Sequence, residues 1–135
     1  AMSNFQDQVT SNPTSFAQRG AIAAFNLDPA VVEGMRVEFE ARRDLIVKLL
    51  REIPGLNVPE PKGAFYVFPD VSSYLGGKIK DDLEMAAFLL EEAKVATVPG
   101  SVFEGAGHLR LSYATSRANI EKGAARIAEA LKKLA

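Results

Sequence analysis

Gly107-His108-Leu109-Arg110-Leu111-Ser112-Tyr113-Ala114 alternates without a break. In an extended chain Leu109, Leu111 and Tyr113 project to one side, and His108, Arg110, Ser112 and Ala114 to the other. The stretch therefore reads as a strand with one core face, carrying an arginine on the opposite face. Upstream, Gly63-Ala64-Phe65-Tyr66-Val67-Phe68 reads as a second strand, ended by Pro69-Asp70. Phe65 and Val67 fall on one of its faces, Tyr66 and Phe68 on the other, the pattern of a strand buried on both sides. A third, short strand is expected over residues 95–98, stopped by Pro99-Gly100.

Helices surround these strands. The first dozen residues are polar and weakly patterned. Asn12-Pro13 is a break, because the residue before proline avoids the helical region. Pro13 suits the first helical position with Asn12 as cap, and the alanine-rich residues 14–25 form the helix, ended by Asn26. Asp28-Pro29 repeats the start signal. Val32, Met35, Phe39, Ile46 and Leu49 then mark the apolar stripe of a long helix, which Pro54-Gly55 terminates. Arg42 and Arg43 on or beside that stripe read as packed stems with solvated heads. Asp81 or Asp82 starts a helix whose stripe is Leu83, Ala86, Ala87 and Leu90, widened by Met85 and Leu89. Ser116 caps the last helix, with Ile120, Ala124, Ile127, Leu131 and Leu134 inward and Lys132 and Lys133 near the negative end of its dipole. The order predicts an α/β domain of two layers, a small mixed or antiparallel sheet with helices packed mainly on one face.

Composition narrows the function. At 135 residues, 47% hydrophobic and 24% charged, the chain has the profile of one globular domain and not of a disordered segment. A net charge of −1 offers no field for nucleic acid or an acidic membrane. The absence of cysteine excludes disulfides, thiolate zinc sites and a cysteine nucleophile, and is compatible with a reducing compartment. A single histidine, His108, makes a histidine-built metal site improbable. No apolar run approaches the roughly 20 residues of a membrane span. Ala1-Met2-Ser3 reads either as an added leader or as a natural sequence cut inside an element.

Few residues invite chemistry. Gly100, Gly105 and Gly107 are glycine-rich, but a phosphate cradle must open a helix, and Gly107 leads into a strand. A plain loop is expected. Asp81, Asp82, Glu84, Glu91 and Glu92 read as the cap and solvated face of their helix, and His108 as structural. Arg110 is more informative. A strand arginine is often a solvated residue, but its planar fork also matches a carboxylate through two parallel hydrogen bonds, which lysine cannot reproduce.

Several stretches taken together resemble fold-type I, class I aminotransferases of the aspartate aminotransferase type, which depend on pyridoxal 5′-phosphate (PLP). Thr10-Ser11-Asn12-Pro13-Thr14-Ser15 with Gln18 resembles the segment crossing from the large domain to the small one. Arg42-Arg43-Asp44 and Ile53-Pro54-Gly55 resemble the long helix that follows. Pro61-Lys62-Gly63-Ala64-Phe65-Tyr66, Pro99-Gly100-Ser101-x-Phe103 and the strand around Arg110 complete the likeness in the family's order. Each match alone is weak, and their joint order is specific.

The resemblance implies that residues 1–26 lead from a large domain absent here and that residues 27–135 form the small C-terminal domain. It implies that Arg110 pairs with the α-carboxylate of an amino acid or 2-oxo acid. Phe65 lines the substrate side of the cleft, and Asn12, with Ser11, lies where family members approach the active site across a homodimer interface. It places the Schiff-base lysine and the other PLP-holding residues upstream of Ala1, since none of the eight lysines here stands in the family's lysine context. This chain is then expected to hold no catalytic, cofactor-binding or metal-binding residue, to be inactive alone, and to belong to a cytoplasmic enzyme of amino-acid metabolism. The same scaffold also serves PLP lyases, synthases and decarboxylases. Without the resemblance, a free-standing α/β binding module is the alternative.

Overall fold

The computed structural model describes residues 1–134. The chain divides into two units, Ala1–Met35 and Arg36–Ala135. The first holds α1 (Met2–Val9), α2 (Ser15–Phe25) and the opening of α3 (Pro29–Arg51). α1 forms where the sequence reads only as polar, and it ends where the Thr10 amide donates to the Gln6 carbonyl at 2.9 Å. α2 starts later than expected. Thr14 and not Asn12 is its cap position, and the Pro13 carbonyl accepts the Gln18 side chain at 2.9 Å. At Asp28-Pro29 the signal holds, with the Asp28 carboxylate accepting the Ala30 amide at 2.9 Å. No residue of α1 or α2 is buried. Phe5, Phe16, Ile22, Phe25, Val32 and Met35 are all exposed, so the N-terminal half of the expected α3 stripe lies open.

In the second unit α3 turns Ile46, Val47 and Leu50 into the core, with Phe39, Leu45 and Leu49 packed partly against them. The sheet is three-stranded and wholly antiparallel: β1 (Tyr66–Val67), β2 (Val98–Pro99) and β3 (Leu109–Ser112), in the order β1-β3-β2. The outer strands are shorter than the sequence suggests. Ala64, at φ 60°, interrupts the first before Tyr66, and Lys94, at φ 54°, closes the preceding turn ahead of the other. α4 (Asp82–Phe88) is capped by Asp81, whose carboxylate accepts the Glu84 amide at 2.9 Å, and continues as a π turn over Leu89–Ala93. Its inner face is Asp82, Met85, Ala86, Leu89 and Ala93, whereas Leu83 and Leu90 face water. The expected stripe is thus rotated, because the loop before β3 docks over Asp82 and lets an acid sit inward. α5 (Arg117–Leu131) begins as expected at Ser116, whose hydroxyl accepts the Asn119 amide at 3.2 Å.

One core joins Val67, Leu109 and Leu111 of the sheet to Leu50, Met85, Leu89, Ile127 and Leu131 of the helices. Burying each such side chain contributes about 1.5–3 kcal/mol before chain entropy is counted. The helices therefore cover one face of the sheet. The other face carries Arg110.

Outside the core, α3 and α5 are tied by Glu38. Its carboxylate accepts Arg42 Nε at 2.7 Å and Arg117 Nη2 at 2.5 Å. The heads of Arg42 and Arg43 are thus ion-paired and not merely solvated, Arg43 reaching Asp44 at 2.7 Å. Arg117, and after it Arg42, hold the Glu38 carboxyl at about 2 instead of its ordinary 4.5. A carboxylate whose pKa falls on folding stabilises the fold above its unfolded pKa and loses that contribution as pH drops through the folded one. The thermal midpoint of the unmodified chain should exceed that of Glu38→Gln by a constant margin near neutrality. That margin should shrink between pH 4.5 and about 2. A margin that stays constant down to pH 3 would count against the bridge.

Candidate functional site

β3 is the central strand, so its side chains alternate between the core and the open face. Leu109 and Leu111 are buried, and Arg110 and Ser112 point the other way. Pairing sets Val98 opposite Arg110 and Tyr66 opposite Ser112, which puts Tyr66 diagonal to Arg110 on the same face. The guanidinium carbon lies 4.6 Å from the centre of the Tyr66 ring and 4.5 Å from that of Phe103. Both contacts lie within cation–π range. Arg110 is half-buried, and among the described residues no carboxylate pairs with it. Two rings thus pack against the guanidinium, and no acid among the described residues takes its N–H donors.

Phe103 ends the 3₁₀ turn Gly100–Phe103. The glycine-rich stretch is a loop, as read from sequence, but a tightly packed one. Gly100 donates to the His108 carbonyl at 2.8 Å and accepts from Gly105 at 3.0 Å. A Cβ on Gly105 would stand 2.7 Å from the Phe68 ring. Asp82 anchors this loop and is not the solvated acid the sequence suggested. It is 3% exposed, accepts the Ser101 amide at 2.7 Å and faces the Gly107 amide at 3.5 Å. Burial pushes its carboxyl up, but the Ser101 and Gly107 contacts outweigh that and leave it below the ordinary range.

Phe65 precedes β1 and is 42% exposed, its ring 4.6 Å from Tyr66 and 6.3 Å from Phe39. The structure therefore brings Phe65 beside Arg110's clamp, although strict alternation would put Phe65 and Tyr66 on opposite faces. The buried Tyr113 holds the bend behind it, its hydroxyl donating to the Ala64 carbonyl at 2.9 Å and its amide to the Phe65 carbonyl at 2.9 Å. Asn12 lies in the first unit, exposed, between α1 and α2. Among the described residues, three of the four non-glycine residues with left-handed backbone, Ser11, Ala64 and Glu104, directly adjoin Asn12, Phe65 and Phe103. Such conformations cost on the order of 1 kcal/mol or more and collect at functional positions.

His108 stacks on Phe68 at 5.0 Å with its Nδ1 3.1 Å from the Ala106 carbonyl, a structural use of the ring. Among the described residues no cluster of acids and histidine is arranged for a metal, and no helix is long and apolar enough to cross a membrane. All eight lysines are exposed. Reading the sequence alone missed Tyr66, Phe103 and Asp82. The period-two register gives Tyr66 the correct face, but only the folded loop brings Phe103 to Arg110 and Asp82 beneath that loop.

Residues 1–127 match the family described as aminotransferase class I and II, and the chain belongs to that family. The chain is 46% identical to the probable aspartate/prephenate aminotransferase of Aquifex aeolicus, across 98% of this chain and 34% of that protein. It is 48% identical to the aspartate aminotransferase of Bacillus subtilis, across 94% of this chain and 33% of that one. The crystal structure of the aspartate aminotransferase from Rhizobium meliloti superimposes with a TM-score of 0.90 at 39% identity, over 97% of this chain and 34% of that chain. The chain thus spans about a third of the length of the relatives it matches.

Proposed function

We propose that this chain is the small domain of a PLP-dependent aminotransferase, and that its task is to grip the substrate's α-carboxylate through Arg110. The observation that carries this reading is the guanidinium packed against the rings of Tyr66 and Phe103, with no acid among the described residues pairing with it. A fork so placed suits a carboxylate bidentately. The substrates are an amino acid and a 2-oxo acid, aspartate or a related amino acid, a reading supported by the names of the relatives.

In this reading residues 1–26 connect the domain to a large domain, and residues 27–135 close over the substrate. PLP, when bound by the rest of the enzyme, acts as an electron sink for the Cα–H bond. In this reading the residues of this chain take no part in its covalent attachment, which falls to the rest of the enzyme. Their part is orientation. Arg110 would fix the carboxylate and so orient the amino acid's Cα–H bond for reaction. Phe65 and Phe103 line the approach and exclude water as the domain closes. The exposed Phe5, Phe16, Ile22, Phe25, Val32 and Met35 supply apolar surface for the large domain and for a homodimer partner, whose active site Asn12 approaches. The enzyme works in the cytoplasm, and this chain alone is inactive.

The chain mixed with PLP, dialysed and then reduced with borohydride should carry no pyridoxyl label. A stoichiometric label on one of Lys48, Lys62, Lys78, Lys80, Lys94, Lys122, Lys132 or Lys133 would overturn the assignment of covalent chemistry to the rest of the enzyme.

A further inference from the structure

Among the described residues Asp82 is the one buried residue with a charged side chain, and the carboxylate grip makes no direct use of it. Its two oxygens reach opposite ends of one loop, Oδ2 taking the Ser101 amide at 2.7 Å and Oδ1 facing the Gly107 amide at 3.5 Å. Phe103 lies between those two points in sequence, is 46% exposed, and has its ring centre 4.5 Å from the Arg110 guanidinium carbon. A ring so exposed is not held by core packing. Its position comes from the backbone beneath it. That backbone is closed by Gly105 donating to Gly100 at 3.0 Å and Glu104 donating to Ser101 at 3.2 Å, with Glu104 left-handed at φ 61°. Asp82 is itself fixed, since it opens α4 beside the capping Asp81 and its helical neighbours Met85 and Ala86 are in the core.

We infer that Asp82 is a positioning residue for Arg110: it pins the Ser101–Gly107 loop so that Phe103 closes the second side of an aromatic clamp whose first side is Tyr66. This rests on the carboxylate-binding reading and extends it. The chemical sense lies in which part of the guanidinium is used. An acid beside Arg110 would order it by consuming the N–H donors the substrate needs. Two rings order it by cation–π contact without pairing it to an acid, so its charge remains for the ligand. A long side chain ordered before the ligand arrives loses less entropy on binding. Hydrogen bonds to the buried carboxylate keep it ionised at neutral pH, so both oxygens remain acceptors.

The test is a double-mutant cycle in the full-length enzyme, reading the half-reaction with the amino-acid substrate and the affinity of a dicarboxylate inhibitor. Asp82→Ala should raise the half-saturating amino-acid concentration about tenfold while changing the limiting rate less than about twofold, the size expected when one long side chain must be ordered at binding. Asp82→Asn keeps an acceptor for Ser101 and should recover part of the loss. Phe103→Leu removes the ring at an exposed position and should shift affinity in the same direction, so the cycle stands even if Asp82→Ala fails to fold. In an Arg110→Ala background, Asp82→Ala, Asp82→Asn and Phe103→Leu should have no further effect on affinity. Additive losses would overturn the positioning role while leaving Arg110 as the carboxylate ligand. An Arg110→Ala enzyme with unchanged affinity would instead overturn the carboxylate reading, and the positioning role with it.

Discussion

In the full-length enzyme Arg110→Ala should weaken amino-acid binding by about two to four decades and leave PLP affinity near normal. The estimate follows from the cost of stranding one member of a desolvated ion pair, roughly 3–5 kcal/mol. Arg110 is half-buried in this chain, so the upper end of that range requires closure over the substrate to exclude water. Arg110→Lys restores charge without the fork and should fall between the two. The ammonium is too compact to fill the space between Tyr66 and Phe103 and cannot give two parallel bonds. Half-reaction kinetics resolve the outcome. A near-normal dependence of rate on amino-acid concentration in the alanine variant would remove the carboxylate role.

The second large effect is on stability. A Cβ at Gly100 would collide with the Gly105 carbonyl oxygen, and would stand 2.7 Å from the His108 carbonyl oxygen and 2.9 Å from His108 Cβ. Most of these are main-chain atoms, and two belong to the loop's own hydrogen bonds. Relief therefore means breaking the loop, not turning a side chain. Gly100→Ala should cost about 3 kcal/mol, the upper end of overpacking penalties. In a chain of this size that lowers Tm by about 10 °C or more. Gly105→Ala meets only the edge of the Phe68 ring, which can swing aside, and should cost less. A Gly100→Ala protein melting within about 2 °C of the original would mean that the loop is not packed as described.

Periodicity made most of the second unit legible in advance. The clean alternation around Arg110 gave the central strand and its two faces, and Ser116 and Asp81 announced their helices through cap chemistry. Pattern reading failed where local preference yielded to tertiary contact. α1 reads as polar by composition although Met2, Phe5 and Val9 fall at helical spacing, and none of its residues is buried. The face of α4 was misjudged because an aspartate lies inward, which only a loop 19 residues away in sequence can satisfy. Phe65 and Tyr66 were set apart by alternation, yet the left-handed Ala64 bends the chain ahead of β1 and the rings meet. At the candidate site, Arg110 stood out by residue type and register. Its clamp did not, since stacking leaves no mark in the order of letters.

Neighbouring residues in β3 face opposite ways, and this limits how such a gene can diverge. One residue gained or lost between Gly107 and Arg110 would shift the pairing by a single step, turn the guanidinium inward and drive a leucine out to water. Lineages carrying this domain can vary that stretch by replacement but not by length. Indels should gather instead near Gly77, where an added side-chain atom would meet nothing within 4 Å.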